Sequence, residues 1–98
     1  MTPELELRMR EACKRAVAVW GSICQLHKLQ EECCELGAEV NRYLEERVSD
    51  VDLANEVADV LITAEQAKII LGADYVEAAI TRKLRRLEQR LAKVEAGE

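Results

Sequence analysis

Four acidic side chains stand out as the ones able to do chemistry: Glu32 with Glu35, and Glu56 with Asp59. A helix advances 100° per residue, so residues three or four apart share a face, and each pair presents two carboxylates together. On the first pair's segment, Gln25, Lys28, Glu32, Glu35, Glu39 and Tyr43 form one stripe, with Leu29, Leu36 and Val40 directly beside it. Glu31, His27, Asn41 and Glu45 fall on other sides. On the second pair's segment, Glu56 and Asp59 sit among Leu53, Val57, Val60, Ala67 and Ile70, while Ile62 and Ile69 make the opposite side apolar too. A helix apolar over most of its circumference is buried, by its own chain or by another subunit. Carboxylates on such a helix need a counter-charge, or they take up protons.

Four inward carboxylates from two facing helices match a divalent metal better than a single cation. All-oxygen donors select Mg²⁺, Mn²⁺ or Ca²⁺ over zinc or copper. Mg²⁺ keeps several waters, which leaves positions open for phosphate oxygens. A di-iron carboxylate bundle needs Glu-x-x-His pairs, and His27 is the one histidine. The competing arrangement is a set of salt bridges from the acids to Lys83, Arg86 or Arg90. Lys83 shares its face with Val76, Ile80, Leu87, Leu91 and Val94 and is expected to point inward, flanked by Arg86 and Arg90. A cation there suits the outer phosphates of a triphosphate. The blander alternative is a lysine whose stem packs while its ammonium reaches water.

Four helices are expected to position these groups. The first runs from about Pro3 to Trp20, opened by Thr2-Pro3-Glu4. Gly21-Ser22 breaks it, with Ser22 as the expected cap of a long helix from about Ile23 to Arg47. Val48-Ser49-Asp50 is the next break, and Ser49 or Asp50 caps a third helix reaching about Leu71. Gly72-Ala73-Asp74 supplies a stop and a new cap, and the fourth helix runs from about Tyr75 to Val94. Short connections between four helices predict an all-α, four-helix antiparallel bundle.

Composition agrees. Of 98 residues, 49% are hydrophobic, yet three are aromatic and none is Phe, so the core must be aliphatic. One domain spanning residues 1–98 accounts for that length. A net charge of −5 argues against nonspecific attraction to nucleic acid or to an anionic membrane, although Arg82 to Arg90 is locally basic. No apolar run is long enough to span a bilayer. Cys13, Cys24, Cys33 and Cys34 contain no C-x-x-C pair. The N-terminal residues lack the layout of a signal peptide. A cytoplasmic protein with reduced thiols and no nucleic-acid or membrane partner is expected. The third helix, apolar on two sides, predicts a homodimer joined through this helix or the first.

Glu31-Glu32-Cys33-Cys34-Glu35-Leu36, followed about 20 residues later by Glu56-Val57-Ala58-Asp59-Val60, resembles the EExxE…ExxD signature of MazG-like nucleotide pyrophosphohydrolases. The lead-in Gln25-Leu26-His27-Lys28-Leu29-Gln30, the run Asp59-Val60-Leu61-Ile62 and the tail Lys83-Leu84-Arg85-Arg86-Leu87 fit compact members, so the likeness covers roughly Trp20 to Leu91. The resemblance implies the all-α NTP pyrophosphatase fold, dimers or tetramers, and Mg²⁺-dependent cleavage of a (d)NTP to (d)NMP and pyrophosphate, with Mn²⁺ able to substitute. A house-cleaning role in the nucleotide pool would follow.

Carried over by position, the resemblance implies Glu32, Glu35, Glu56 and Asp59 as metal ligands, and Lys83 near the phosphates. Arg86 stands where many members carry Asn, which makes the outer phosphate contacts the point of departure from the pattern. Glu35 or Glu31 is the expected general base, and neither is preferred. Lys28, Lys83 and Arg86 are the expected phosphate-binding cations. Trp20 and Tyr43 are the aromatic residues near the expected site and the candidates for stacking on a base. The rivals are a non-catalytic oligomerisation or regulatory module, a dimeric dUTPase, and a phosphoribosyl-ATP pyrophosphohydrolase.

Overall fold

A computed structural model describes residues 1–97, and within them the chain is four α-helices. Helix α1 spans Pro3–Trp20. The Thr2 hydroxyl accepts a hydrogen bond from the Leu5 N–H at 3.1 Å, Pro3 occupies the first turn, and Glu4 and Glu6 complement the positive end of the dipole. Gly21, at φ +88°, ends α1 and is at once the N-cap of α2, Ser22–Leu44. Ser22 is therefore the first helical residue and not the expected cap. A left-handed glycine turns the chain in a single step and leaves no extended residue for Ser22 to occupy.

Helix α2 stops three residues short of the expected Arg47. Glu46 adopts φ +61°, and the Arg47 N–H donates to the Arg42 carbonyl at 2.9 Å, closing the end of the helix. Helix α3, Asp50–Leu71, starts on a complete capping box. The Ser49 hydroxyl accepts from the Asp52 N–H at 3.2 Å, and the Asp52 carboxylate accepts from the Ser49 N–H at 2.9 Å. Helix α4 spans Ala73–Glu95 and is capped by Gly72 at φ +105°, so the expected cap Asp74 lies within its first turn instead.

Helices α2 and α3 pack along their length as an antiparallel pair, with α1 laid mainly against α3. The Cys13 thiol donates to the Ile62 carbonyl at 3.4 Å, pinning the middle of α1 to the middle of α3. Helix α4 touches α3 alone, near the corner that joins them, where Lys68 meets Glu77 at 3.4 Å. The fold is an all-helical bundle, but the fourth helix does not close its fourth side within one chain. The radius of gyration, 16.4 Å, exceeds the roughly 13 Å of a compact chain of this length, as a projecting helix requires.

The interior is thin. Among the described residues Cys13 is the one apolar side chain in the buried class, alongside the polar Gln25, Glu32, Thr63 and Gln66. Leu61 and Ile62 of α3 remain about half exposed although α3 contacts every other helix. All four cysteines are free thiols. None of the four helices is long and apolar enough to cross a membrane.

Candidate metal centre

The antiparallel register of α2 on α3 brings the two acidic pairs together. Carboxylate oxygens of Glu32, Glu35 and Glu56 lie within 4.8 Å of one another. Glu32 is buried, Glu56 half-buried and Glu35 exposed, so the cluster reaches from the helix interface to solvent. One oxygen each of Glu32 and Glu56 is shielded from solvent and has no hydrogen-bond donor among the described residues. A buried carboxylate oxygen without a donor is unfavourable, and a cation satisfies two such oxygens at once. Three oxygen donors and two orphaned lone-pair sites fit a hard divalent cation.

Electrostatics tell the same story. Burial pushes the Glu32 carboxyl above its ordinary value, and Glu35 and Asp59 push it the same way, while the Lys28 ammonium pulls it back. Burial also raises Glu56, followed by the charges of Glu35, Asp59, Glu39 and Glu32, with no cation opposing them. Within one chain the cluster is thus short of positive charge. Lys28 is the cation that answers it, 3.4 Å from Glu32 and 3.7 Å from Glu31, one helical turn back on α2. That contact in turn holds the lysine proton more tightly, chiefly through Glu32.

The remaining expected residues fall differently. Asp59 is exposed and outside the three-carboxylate set, though its charge acts on both Glu32 and Glu56. Glu31 is exposed at the edge, paired with Lys28. Lys83 does not point into the bundle: it and Arg86 are exposed on α4, which makes no contact with α2. Neither is among the charges felt by Glu32 or Glu56. Tyr43 lies at the α2–α3 corner, where the neighbouring Asp50 carboxylate makes its hydroxyl hold its proton more tightly. Trp20 is exposed at the end of α1.

Trp20 borders an open apolar groove of about 1040 Å³ between α1 and α3 whose lining includes Cys13, Ile62 and Gln66. None of the clustered acids lines it.

Two features escaped the sequence reading. Glu39 is half-buried, bonded to Arg42 at 3.1 Å, and adds to the field at Glu56. It stood on the acidic stripe, so the signal was present and was passed over because Glu39 lies outside the motif. Gln25, Thr63 and Gln66 are buried polar side chains, and Gln66 keeps one oxygen without a donor. Gln25 stood on the acidic stripe, whereas nothing in the types or spacing of Thr63 and Gln66 separates them from surface residues.

Comparison of the chain with protein-family models, with curated proteins and with solved structures returned no match.

Proposed function

We propose that this protein is a Mg²⁺-dependent nucleotide pyrophosphohydrolase, cleaving a (d)NTP to (d)NMP and pyrophosphate. The observation that carries the reading is the three-carboxylate cluster of Glu32, Glu35 and Glu56, with its two buried oxygens that no donor satisfies. The all-helical fold and the two-part acidic motif support it.

Glu32, Glu35 and Glu56 would hold the metal, with Asp59 adding negative charge beside them. Mg²⁺, or Mn²⁺ in its place, supplies charge neutralisation and a template for phosphate oxygens when bound. Water forms the new P–O bond, the anhydride P–O bond breaks, and pyrophosphate leaves with the bonding pair. The water's proton passes to a carboxylate. Glu35, the exposed member of the cluster, and Glu31 beside it are the two candidates. Lys28 stands where it balances the charge of an incoming phosphate chain. Lys83 and Arg86 are assigned no step, since α4 carries them away from the acids of their own chain. Tyr43, at the end of the acidic stripe, and Trp20 remain the candidates for the base.

The test is pyrophosphate release from a panel of standard and modified (d)NTPs, with and without Mg²⁺. Metal-dependent pyrophosphate together with the matching monophosphate supports the reading. No turnover of any triphosphate, with Mg²⁺ also leaving the melting temperature unmoved, would make the chain a non-catalytic helical module.

A further inference from the structure

The apolar residues at the outer part of α4 have no partner in their own chain. Ile80, Leu84, Leu87 and Leu91 are each about half exposed and Val94 more so, on a helix that touches only α3 and only near its start. Their spacing alternates four, three, four, three, the 3.5-residue period of a coiled-coil seam. Leu84 and Leu91 take the a positions, and Ile80, Leu87 and Val94 the d positions. The flanks then carry opposite signs: Lys83 and Arg90 at g, Glu88 and Glu95 at e.

We infer that α4 is a self-association seam that pairs in parallel with α4 of further copies of this chain. Charge decides the direction. In parallel strands g faces e of the next heptad on the neighbour, so Lys83 meets Glu88 and Arg90 meets Glu95, and the symmetric contacts repeat both pairs. In antiparallel strands g faces g and e faces e, which sets like charges against each other. A lipid surface suits one flank only: Lys83 and Arg90 would face anionic headgroups, but Glu88 and Glu95 on the other flank would be pressed against them. Leu at a with β-branched Ile80 and Val94 at two of the three d positions, Leu87 holding the third, leans towards three or four strands over two. The seam starts seven residues beyond Ala73, roughly 10 Å along the helix, which clears the corner with α3.

The experiment is sedimentation velocity on the full chain from low to high micromolar concentration. The expected result is a concentration-dependent oligomer heavier than the 11.1 kDa chain. Leu84→Glu with Leu91→Glu is expected to give monomer with unchanged helical circular dichroism, because both side chains are about half exposed on a helix that contacts neither α1 nor α2. Lys83→Glu with Arg90→Glu is expected to weaken association by about tenfold or more, from the loss and reversal of the flanking pairs. An equimolar mixture with Glu88→Lys/Glu95→Lys is expected to restore it. A chain that stays monomeric throughout, or an oligomer indifferent to the leucine substitutions, overturns the inference. An oligomer that loses mass with the leucine variant but ignores the charge reversal overturns the parallel arrangement. A monomer that binds phosphatidylserine vesicles through α4 would give the helix to a lipid surface instead. These outcomes are read without any nucleotide, so they stand or fall apart from the pyrophosphohydrolase reading.

Discussion

Helix α2 and helix α4 are both 23 residues long and both rich in charge, yet they use it in opposite ways. Along α2 the acids of one face are driven against α3, and Glu32 ends 6% exposed. Along α4 every charged side chain stays in water. Pattern alone does not separate the two, since each alternates apolar and charged faces with a helical period. The difference lies in what lies opposite. Helix α2 meets a helix that brings more carboxylate, so its charge becomes concentrated and demands a cation. Helix α4 meets only α3, near the corner that joins them, so its charge beyond that corner remains dispersed around an uncovered stripe.

The sharpest way to break this comparison is to remove charge from each helix in turn. Glu32→Ala or Glu56→Ala is expected to lower Mg²⁺-dependent pyrophosphate release by about 100-fold or more, through loss of a ligand, with helical circular dichroism unchanged. Arg85→Ala, an exposed charge on α4, is expected to leave turnover as it was. Equal losses from both helices would show that concentration of charge is not what sets α2 apart.

A second expectation concerns stability. Replacing both Glu32 and Glu56 by Gln relieves the repulsion and should raise the melting temperature of the metal-free protein. The same change should remove the rise that Mg²⁺ gives the unmodified chain, a rise that follows binding to the folded state. A double variant still stabilised by Mg²⁺ would place the metal elsewhere.

The pH dependence follows from the same two groups. Both carboxyls are raised in the folded state, so folding binds protons, and their contribution is full below the ordinary carboxylate value near 4.5. It is lost as pH rises through the raised folded values. Between pH 4 and neutrality the metal-free chain should therefore lose stability relative to the Gln double variant, measured as the difference between their melting temperatures. Mg²⁺ favours the ionised carboxylates, so its affinity should rise over the same window.

The smallest expected effect lies at the junction of the site's two helices. Ser49→Ala removes the cap of α3 and should lower unfolding free energy by about 1 kcal/mol, read from denaturant midpoints.

The residues show how much was legible beforehand. Four helices, the Thr2 and Ser49 caps and the acidic stripe followed from local chemistry: a hydroxyl before a helix start, and carboxylates three apart beside leucines. Ser22 and Asp74 failed as caps because Gly21 and Gly72 hold positive φ, a conformation that glycine permits and sequence does not announce. Which three of the four acids converge depends on how far α3 slides along α2, which no local pattern sets. The place of Lys83 depends on the direction of α4, a tertiary property that a helical wheel cannot supply.

That direction rests on little. Gly72 holds φ +105°, and a Cβ there would stand 3.4 Å from the Tyr75 ring, an ordinary contact, so the backbone angle and not crowding calls for glycine. Beyond it, 23 residues of α4 form a rigid arm of about 35 Å. A swing of about 10° at this one residue carries the tip through about 6 Å, so in the proposed seam a small backbone adjustment would set how far apart the arms of two copies stand.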